Sequence, residues 1–247
     1  CASYSNCPTN STLVANATDF VGTDTCSCCE PPTNFFRRPV ERTCAEGSAA
    51  EDKAALLAFK AAGDPDGDLA SWEEATEPCG VEGWNSDILG WSGVQCDEEG
   101  GRVTQLKLWS KYNLRGSLES VAALTQLTWL ILSSPNNNNP MMVVGDVGNL
   151  LSLPNILLLD FGVCQFVNGS VEQLAALTQL TYLSLSSTSV SGSVEPLAML
   201  TQLTQFHLSS TSVSGSVEPL AALTQLTSLS LYSTSVSGSV EPLAALT

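Results

Sequence analysis

Positively charged residues are scarce in this chain and unevenly placed. The 247 residues hold 9 Lys and Arg against 25 Asp and Glu, for a formal net charge of −16. After Arg115 the sequence contains no Lys or Arg at all. Because phosphate binding needs clustered cations, we expect no nucleic-acid partner. The segment after Arg115 is rich in Ser, Thr and Gln, and such a surface suits neutral glycans, ordered water or another copy of the chain better than a charged partner.

Groups that support catalysis or metal binding are also rare. His207 is the single histidine, and no Ser, Cys or acidic residue is placed in sequence to act with it as nucleophile or orienting partner. Residues 64–68 are acidic, but they lack the later glycine and the terminal glutamate of a calcium loop, so we interpret them as a turn. We therefore expect no enzyme activity, no metal and no cofactor. No apolar run is long enough to cross a bilayer.

Cysteine is concentrated at the start of the chain. Cross-links are the expected source of stability there, because the segment has too few large apolar residues for a core. The sequence does not choose among the possible pairings, and a zinc site around residues 26–29 lacks the usual spaced pairs. The six cysteines concerned are Cys1, Cys7, Cys26, Cys28, Cys29 and Cys44. We interpret the isolated Cys164 as a buried free thiol.

Three N-glycosylation sequons accompany these cysteines, at Asn10, Asn16 and Asn168. Cysteine-rich segments that carry sequons are typical of proteins that pass through an oxidising compartment. The sequence therefore predicts a secreted or cell-surface chain.

A unit of about 23 residues recurs through the end of the chain, marked by Gly192, Gly215 and Gly238. Its apolar frame reads L-x-x-L-x-x-L-x-L and is followed by Ser-Gly-Ser-Val. This frame resembles the plant-type leucine-rich repeat. The resemblance implies an α/β solenoid, a horseshoe or superhelix with a parallel concave sheet. Thr188 and its copies stand where that family usually has a buried Asn, and a Thr hydroxyl can still satisfy a turn backbone group there.

The segment before the repeats has a different pattern. Ser48 and Glu51 form a capping box ahead of a helical apolar stretch at residues 54–59. With the Trp72, Cys79 and Cys96 that follow, the order resembles the amino-terminal cap of plant-type leucine-rich-repeat ectodomains. The resemblance implies a helix plus a Cys79–Cys96 disulfide.

Three regions result from this reading. Residues 1–47 form a glycosylated, disulfide-rich extension, residues 48–102 the cap, and residues 103–247 about five and a half repeats. The polar run at residues 135–140 is an insertion that belongs in a surface loop.

The concave sheet is the expected binding surface. Successive side chains along a strand point to opposite faces of a sheet, so the residues that flank the buried leucines point outward. Across neighbouring strands they form three parallel rows, which we call files. Exposed aromatic residues grouped in this way are usual anchors of a protein or sugar interface. The candidate contacts are Trp109, Trp129, Ile131, Leu158, Tyr182, His207 and Tyr232. The alternative is that the Asn-rich insertion or the cysteine-rich segment folds over them.

The last repeat is the expected assembly edge. It carries no polar capping segment, so we expect further repeats or a neighbouring subunit beyond Thr247. The apolar residues that an open edge would expose are Leu226, Leu229, Leu231, Leu243 and Leu246.

Several non-catalytic functions fit this pattern. The first is an extracellular interaction scaffold that makes protein or glycan contacts. The alternatives are a subunit of a glycoprotein fibre, favoured by the near-identity of the late repeats, and a receptor-type ectodomain that recognises a ligand. A minor alternative is ice binding by the repeated Ser-Thr-Ser triplets, which sit where the chain leaves the concave sheet.

Overall fold

The computed structural model describes residues 12–13, 29–30, 48–79, 90–97, 101–109, 111, 113–134 and 141–245. The chain divides into two compact units, Cys1–Glu46 and Gly47–Thr247. In the first unit, β1 (Thr12–Leu13) pairs antiparallel with β2 (Cys29–Glu30). The cysteine pairings predicted for the first 44 residues, and the sequons at Asn10 and Asn16, lie outside the described part.

The second unit holds the cap and the repeats. Short 3₁₀ helices at Val147–Ser152, Val171–Ala176, Glu195–Met199, Glu218–Ala222 and Glu241–Ala245 connect its later strands. In chain order, its other elements are α1 (Ala49–Ala61), β3 (Val94–Cys96), β4 (Val103–Lys107), β5 (Arg115–Ser117), α2 (Leu118–Val121), β6 (Trp129–Ile131), β7 (Met142–Asp146), β8 (Leu158–Asp160), β9 (Val167–Ser170), β10 (Tyr182–Ser184), β11 (Ser189–Ser193), β12 (Gln205–His207), β13 (Ser212–Ser216), β14 (Ser228–Ser230) and β15 (Ser235–Ser237).

The cap helix α1 begins at the predicted capping box. The backbone N–H of Glu51 donates to the Ser48 hydroxyl, and the Glu51 carboxylate accepts the Ser48 N–H in return. These reciprocal bonds satisfy two of the four free donors at the start of a helix. Leu56 and Phe59 lie one turn apart on the buried face of α1 and are fully enclosed. The helix-plus-disulfide cap is therefore confirmed, with a helix longer than residues 54–59.

A second part of the cap closes the start of the solenoid. Strand β3 pairs antiparallel with β4, and the Cys79–Cys96 disulfide, with its Cα atoms 5.7 Å apart, ties this hairpin to the preceding loop. Trp72 and Trp91 stack with ring centroids 5.5 Å apart, and both are buried. The cap thus covers the first repeat with a large apolar surface.

One buried ion pair joins the cap to the first repeat. Asp52 on α1 is only 1% exposed and accepts two hydrogen bonds from the Arg102 guanidinium, at 2.9 and 3.0 Å. The same carboxylate accepts the backbone N–H of Val103 at 2.8 Å, at the first residue of β4. The hydrogen bond to Asp52 is the main reason that the pKa of Arg102 is raised. Because the ion pair is bidentate and well buried, each charge offsets much of the desolvation cost of the other.

The concave sheet has seven strands in the order β14-β12-β10-β8-β6-β4-β3, and all pairings beyond β4 are parallel. The apolar frame of the repeats is buried behind this sheet and forms one continuous core with the cap. The predicted leucine-rich-repeat solenoid with a parallel concave sheet is therefore confirmed.

A second parallel sheet lies along the solenoid, in the order β15-β13-β11-β9-β7-β5. The sequence pattern did not indicate this second sheet. Its strands have the alternation of a half-buried strand: in β11, Val190 is buried while Ser189 and Ser191 are exposed. Ser187 has a φ of 58°, a left-handed conformation, in the turn between β10 and β11. The adjacent Thr188 hydroxyl donates to the Leu185 carbonyl at 2.6 Å.

A ladder of glutamates links each late repeat to the next. The carboxylate of one repeat accepts the backbone N–H of the serine that follows the marker glycine one repeat later. The donor and acceptor pairs are Ser193 to Glu172 at 2.8 Å, Ser216 to Glu195 at 3.0 Å and Ser239 to Glu218 at 3.2 Å. Each bond is charge-assisted and repeats with the sequence period.

We predict that Asp52→Asn destabilises the second unit by about 3 kcal/mol, because it removes the buried negative charge that accepts two hydrogen bonds from the Arg102 guanidinium. The measurement is the free energy of unfolding from urea denaturation followed by tryptophan fluorescence. The matched control is Glu77→Gln, which removes the exposed Lys53–Glu77 pair and should cost less than about 1 kcal/mol. Similar small losses in both variants would contradict a structural role for the buried pair.

Candidate functional site on the concave sheet

Strand register brings the predicted contact residues into files across the concave sheet. Trp129 pairs with Leu158, and Leu158 pairs with Tyr182. In the adjacent row of side chains, Ile131 pairs with Asp160, Asp160 pairs with Ser184, and Ser184 pairs with His207. Because neighbouring parallel strands are about 4.8 Å apart, these side chains form a contiguous surface.

Trp129 is the centre of the apolar part of this surface. Its side chain is 37% exposed, and the Lys107 ammonium lies 4.3 Å from the centroid of its ring. A cation at this distance attracts the electron-rich face of an indole, so Lys107 holds the ring in place. Leu158 and Ile131 flank Trp129 and are half-buried. Lys107 was not among the predicted contacts, because the prediction selected exposed aromatic and apolar residues as interface anchors.

Tyr182 and His207 form a second aromatic pair further along the sheet. Their rings meet edge to face with centroids 5.9 Å apart, and His207 Nε2 is 2.9 Å from the Ser228 hydroxyl. Burial raises the pKa of Tyr182, and the nearby Asp160 carboxylate raises it further. The phenol therefore stays protonated at neutral pH and can donate a hydrogen bond. His207 is half-buried, and its hydrogen bond to Ser228 is one that an ordinary surface histidine would make.

Two polar atoms of the concave surface are left without hydrogen bonds. Gln105 Oε1 and Ser133 Oγ are both buried and have no hydrogen-bond partner among the described residues. Gln105 lies directly beside Trp129 in the pairing of β4 with β6. Because both oxygens are buried, a ligand on the concave surface does not reach them in this conformation, and buried water is the ordinary partner of such groups.

Two predicted contacts lie in exposed turns that follow their strands. Trp109 follows β4 in a turn and is 62% exposed, while Tyr232 follows β14 and is 68% exposed. Strand β14 is four strands from β6, which places Tyr232 about 19 Å from Trp129 by strand spacing. We define the concave patch as Lys107, Trp129, Ile131, Leu158 and Tyr182, with His207 at its margin.

The assembly edge is partly covered. The expectation that Leu226 is exposed is wrong: it is 9% exposed, because Leu229, Leu231 and Leu243 of the same turn pack against the core that contains it. These three are half-buried, and Leu246 lies outside the described residues. Strands β14 and β15 each pair with one neighbour in the described part. Assembly through this edge stays a prediction.

Cys164 is a free thiol buried in the third repeat. Its S–H donates to the Leu132 carbonyl at 2.7 Å. Burial raises the pKa of this thiol to about 12, with a smaller contribution from the Asp160 charge. A group held in its neutral form in this way is a structural thiol and not a nucleophile.

The acidic segment at residues 64–68 forms a turn, in which the Asp64 carboxylate accepts the backbone N–H groups of Asp68 and Leu69, each at 2.8 Å. Over the described ranges, no group of three His, Cys, Asp or Glu side chains is arranged to hold a metal ion. The helices that the structure describes also include none with the length and hydropathy of a membrane span.

Comparison with known proteins supports this architecture. Residues 49–97 match the family described as Leucine rich repeat N-terminal domain. A probable leucine-rich repeat receptor-like protein kinase of Arabidopsis thaliana is 40% identical over 81 residues, which are 33% of this chain and 10% of that protein. The chain is a plant-type leucine-rich-repeat protein with an amino-terminal cap. Its match spans about a tenth of the length of that kinase.

Solved structures of leucine-rich-repeat proteins share this fold. The crystal structure of the BIR3–SERK2 complex from Arabidopsis thaliana superposes with a TM-score of 0.57 at 26% identity, covering 74% of this chain and 94% of that chain. The ectodomain of the Arabidopsis receptor kinase HAESA, in complex with an N-terminally extended IDA peptide hormone ligand, gives a TM-score of 0.64 at 23% identity, covering 81% of this chain and 32% of that chain. A plant ice-binding protein gives 0.54 at 22%, covering 76% and 57%. Receptor ectodomains lie outside the cell, which fits the location indicated by the sequons and cysteines.

We predict that native Cys164 resists alkylation by iodoacetamide at pH 8 by a factor on the order of a thousand relative to the unfolded chain, because its thiolate forms only near pH 12. The labelling rate should rise about tenfold per pH unit between 8 and 11. Peptide mass spectrometry separates this site from the six early cysteines, and the Cys164→Ser variant identifies its peptide. Equal rates in native and denatured protein would contradict the assignment.

Proposed function

We propose that this chain is an extracellular recognition module that holds an extended protein or peptide segment against its concave patch. The carrying observation is Trp129, a large side chain that is partly exposed on a rigid sheet and held by Lys107. A preorganised aromatic anchor of this kind loses little conformational entropy on binding. Leu158 and Ile131 add apolar contact area on either side.

Polar groups around the anchor indicate the chemistry of the partner. The Tyr182 phenol can donate a hydrogen bond to a bound partner. The patch also has one cation, Lys107, and one neighbouring carboxylate, Asp160. An extended backbone with an apolar side chain at its centre satisfies all these groups, and a peptide is the simplest ligand that offers both.

The structural neighbours support a protein or peptide partner over a glycan. The HAESA ectodomain was solved with a peptide hormone, and BIR3 with SERK2, another protein. This chain shares their fold, and we extend the class of partner to it as part of the proposal. Receptor-type recognition and a scaffold role use the same surface and differ only in what the bound partner does next.

The test is a peptide display screen against the immobilised 247-residue chain, followed by affinity measurement on the variants. Trp129→Ala should weaken binding of the selected peptides at least about 30-fold, the loss typical of a central anchor. Tyr182→Ala should weaken it less, and the matched Tyr232→Ala should leave it unchanged. A neutral glycan array run in parallel covers the other partner class. Equal losses in the two tyrosine variants, or unchanged binding without Trp129, would contradict the concave patch as the site.

A second candidate function is ice binding, favoured by the outer face of the second sheet. Serine hydroxyls there form a regular array, in which Ser191 pairs with Ser212 and Ser214 with Ser235. Strand spacing of about 4.8 Å and a repeat of about 6.6 Å along each strand give hydroxyls periodic in two directions. Such an array can order water, and a plant ice-binding protein shares the solenoid fold.

For this candidate we predict measurable thermal hysteresis in solutions of the purified chain, and its loss when Ser191 and Ser212 are both replaced by bulkier Tyr. Replacement of the exposed Met199 by Tyr, outside the array, is the matched control and should retain the effect. Absence of thermal hysteresis in the unmodified chain would remove ice binding from consideration.

A further inference from the structure

The amino-terminal end of the second sheet bears an exposed apolar patch that the proposed functions do not use. Val144 on β7 is 48% exposed and Phe166, directly before β9, is 45% exposed. With Met142 and Arg115 they line an open groove of about 330 Å³. The later strands of this sheet present serine hydroxyls instead, so the apolar surface is local. Two large apolar side chains held side by side in solvent indicate that something covers them.

A glycosylation sequon lies on the same face, two residues after Phe166. Asn168 is exposed on β9, and Val167 between the two points inward and is fully buried. Phe166 lies in the turn directly before β9 and lines the groove together with Val144. On β7, Val144 and Asp146 are both exposed on one face, and Asp146 is the register partner of Asn168. The exposed Asn168 amide therefore lies on the face that carries the groove, two residues from Phe166. The Asn168 side chain makes no hydrogen bond to the described residues. Ser170 completes the sequon on the same face.

We propose that Asn168 carries an N-linked glycan and that the first sugar ring of this glycan packs on Phe166. An N-acetylglucosamine ring has one face made of C–H groups, which pack on an aromatic ring while the hydroxyls at its rim stay hydrated. A sugar attached to Asn168 starts within one side-chain length of Phe166, so docking costs little additional entropy. The next sugars extend over Val144 and Met142.

The modification is a transfer reaction with a defined balance. The side-chain nitrogen of Asn168 forms a bond to the anomeric carbon of an oligosaccharide carried on a lipid pyrophosphate. The bond from that carbon to the pyrophosphate oxygen breaks, the lipid pyrophosphate leaves with the electron pair, and the amide loses one proton. The donor belongs to the secretory route indicated by the sequons and cysteines, and the inference does not depend on which partner the concave patch binds.

Docking of the glycan has a consequence for the whole surface. The apolar patch becomes a glycan contact, and the amino-terminal end of the second sheet is closed to protein partners. The concave sheet, which is a separate sheet, is left open. The glycan thus covers the apolar patch at Val144 and Phe166 and leaves the concave patch as the accessible apolar surface.

The first experiment determines whether the site is occupied. The chain is secreted from eukaryotic cells as the Asn10→Gln, Asn16→Gln double variant, so that Asn168 is the remaining sequon. Treatment with an amidase that releases N-glycans should lower the mass by a full glycan and convert the Asn168 side chain to a carboxylate, located by peptide mass spectrometry. Adding Ser170→Ala should abolish the modification. A secreted chain with unmodified Asn168 would overturn the proposal.

The second experiment determines whether the sugar packs on Phe166. Release of the glycan should lower the unfolding midpoint by about 2–4 °C when Phe166 is present and should have no such effect in Phe166→Ala, with Asn168→Asp as control for the introduced charge. Met199→Ala, which alters an exposed apolar side chain away from any sequon, should retain the full effect. The acetyl methyl proton resonance of the first sugar should also shift upfield with Phe166 and lose the shift in Phe166→Leu. Equal midpoint changes with and without the ring, or no ring-dependent shift, would overturn the docking.

Discussion

Burial of each repeat by its neighbours is the constraint on which this structure depends. A unit of about 23 residues encloses no core of its own, so its leucines become dry only when another unit lies on each side. At the amino-terminal end, the cap buries the first repeat. Trp72 and Trp91 supply apolar area, and the Cys79–Cys96 disulfide holds the hairpin over this repeat. The Asp52–Arg102 pair then fixes α1 to the start of β4. The position of each later strand depends on the strand before it, because the strands of each sheet pair in the order of the repeats.

The sequence predicted the parts of the fold that follow from repetition. An apolar frame with constant spacing determines which residues share a strand and which strands are neighbours, so the pairing of Trp129 with Leu158 could be derived from counting alone. The capping box at Ser48 likewise located the start of α1, since its two hydrogen bonds depend only on local spacing. Both features depend on the spacing of residues along the chain, which can be read from the sequence.

Other parts depended on contacts that no local pattern states. The second sheet was missed because Ser-Val-Ser-Gly-Ser is mostly polar, and only the burial of Val190 behind it shows that the segment is a strand. The turn before it uses Ser187 with a positive φ, where glycine is the usual residue. Lys107 over Trp129 depends on side-chain conformations across two strands. Leu226 is covered by residues of its own turn, a packing detail that the repeat frame does not contain.

The two sheets divide the surface by chemistry. The concave sheet combines aromatic anchors with single charges, whereas the outer face of the second sheet carries hydroxyls, one apolar patch and a sequon. Both faces stand on the same leucine core, so their side chains can change without altering the frame behind them. Lys and Arg occur only in the amino-terminal extension, the cap and the first repeat, up to Arg115, which leaves the later repeats with a mildly acidic exterior.

The glutamate ladder makes the late repeats interchangeable parts. Each repeat offers the same carboxylate forward and the same serine N–H backward, so any copy fits against any other with the same hydrogen bond. Insertion or deletion of a whole unit, as happens when repeated DNA recombines out of register, would leave every junction intact. Array length in this protein is therefore free to change in evolution in steps of one repeat, while the irregular second and third repeats, which carry the Trp129 and Asn168 surfaces, have no such equivalent copies.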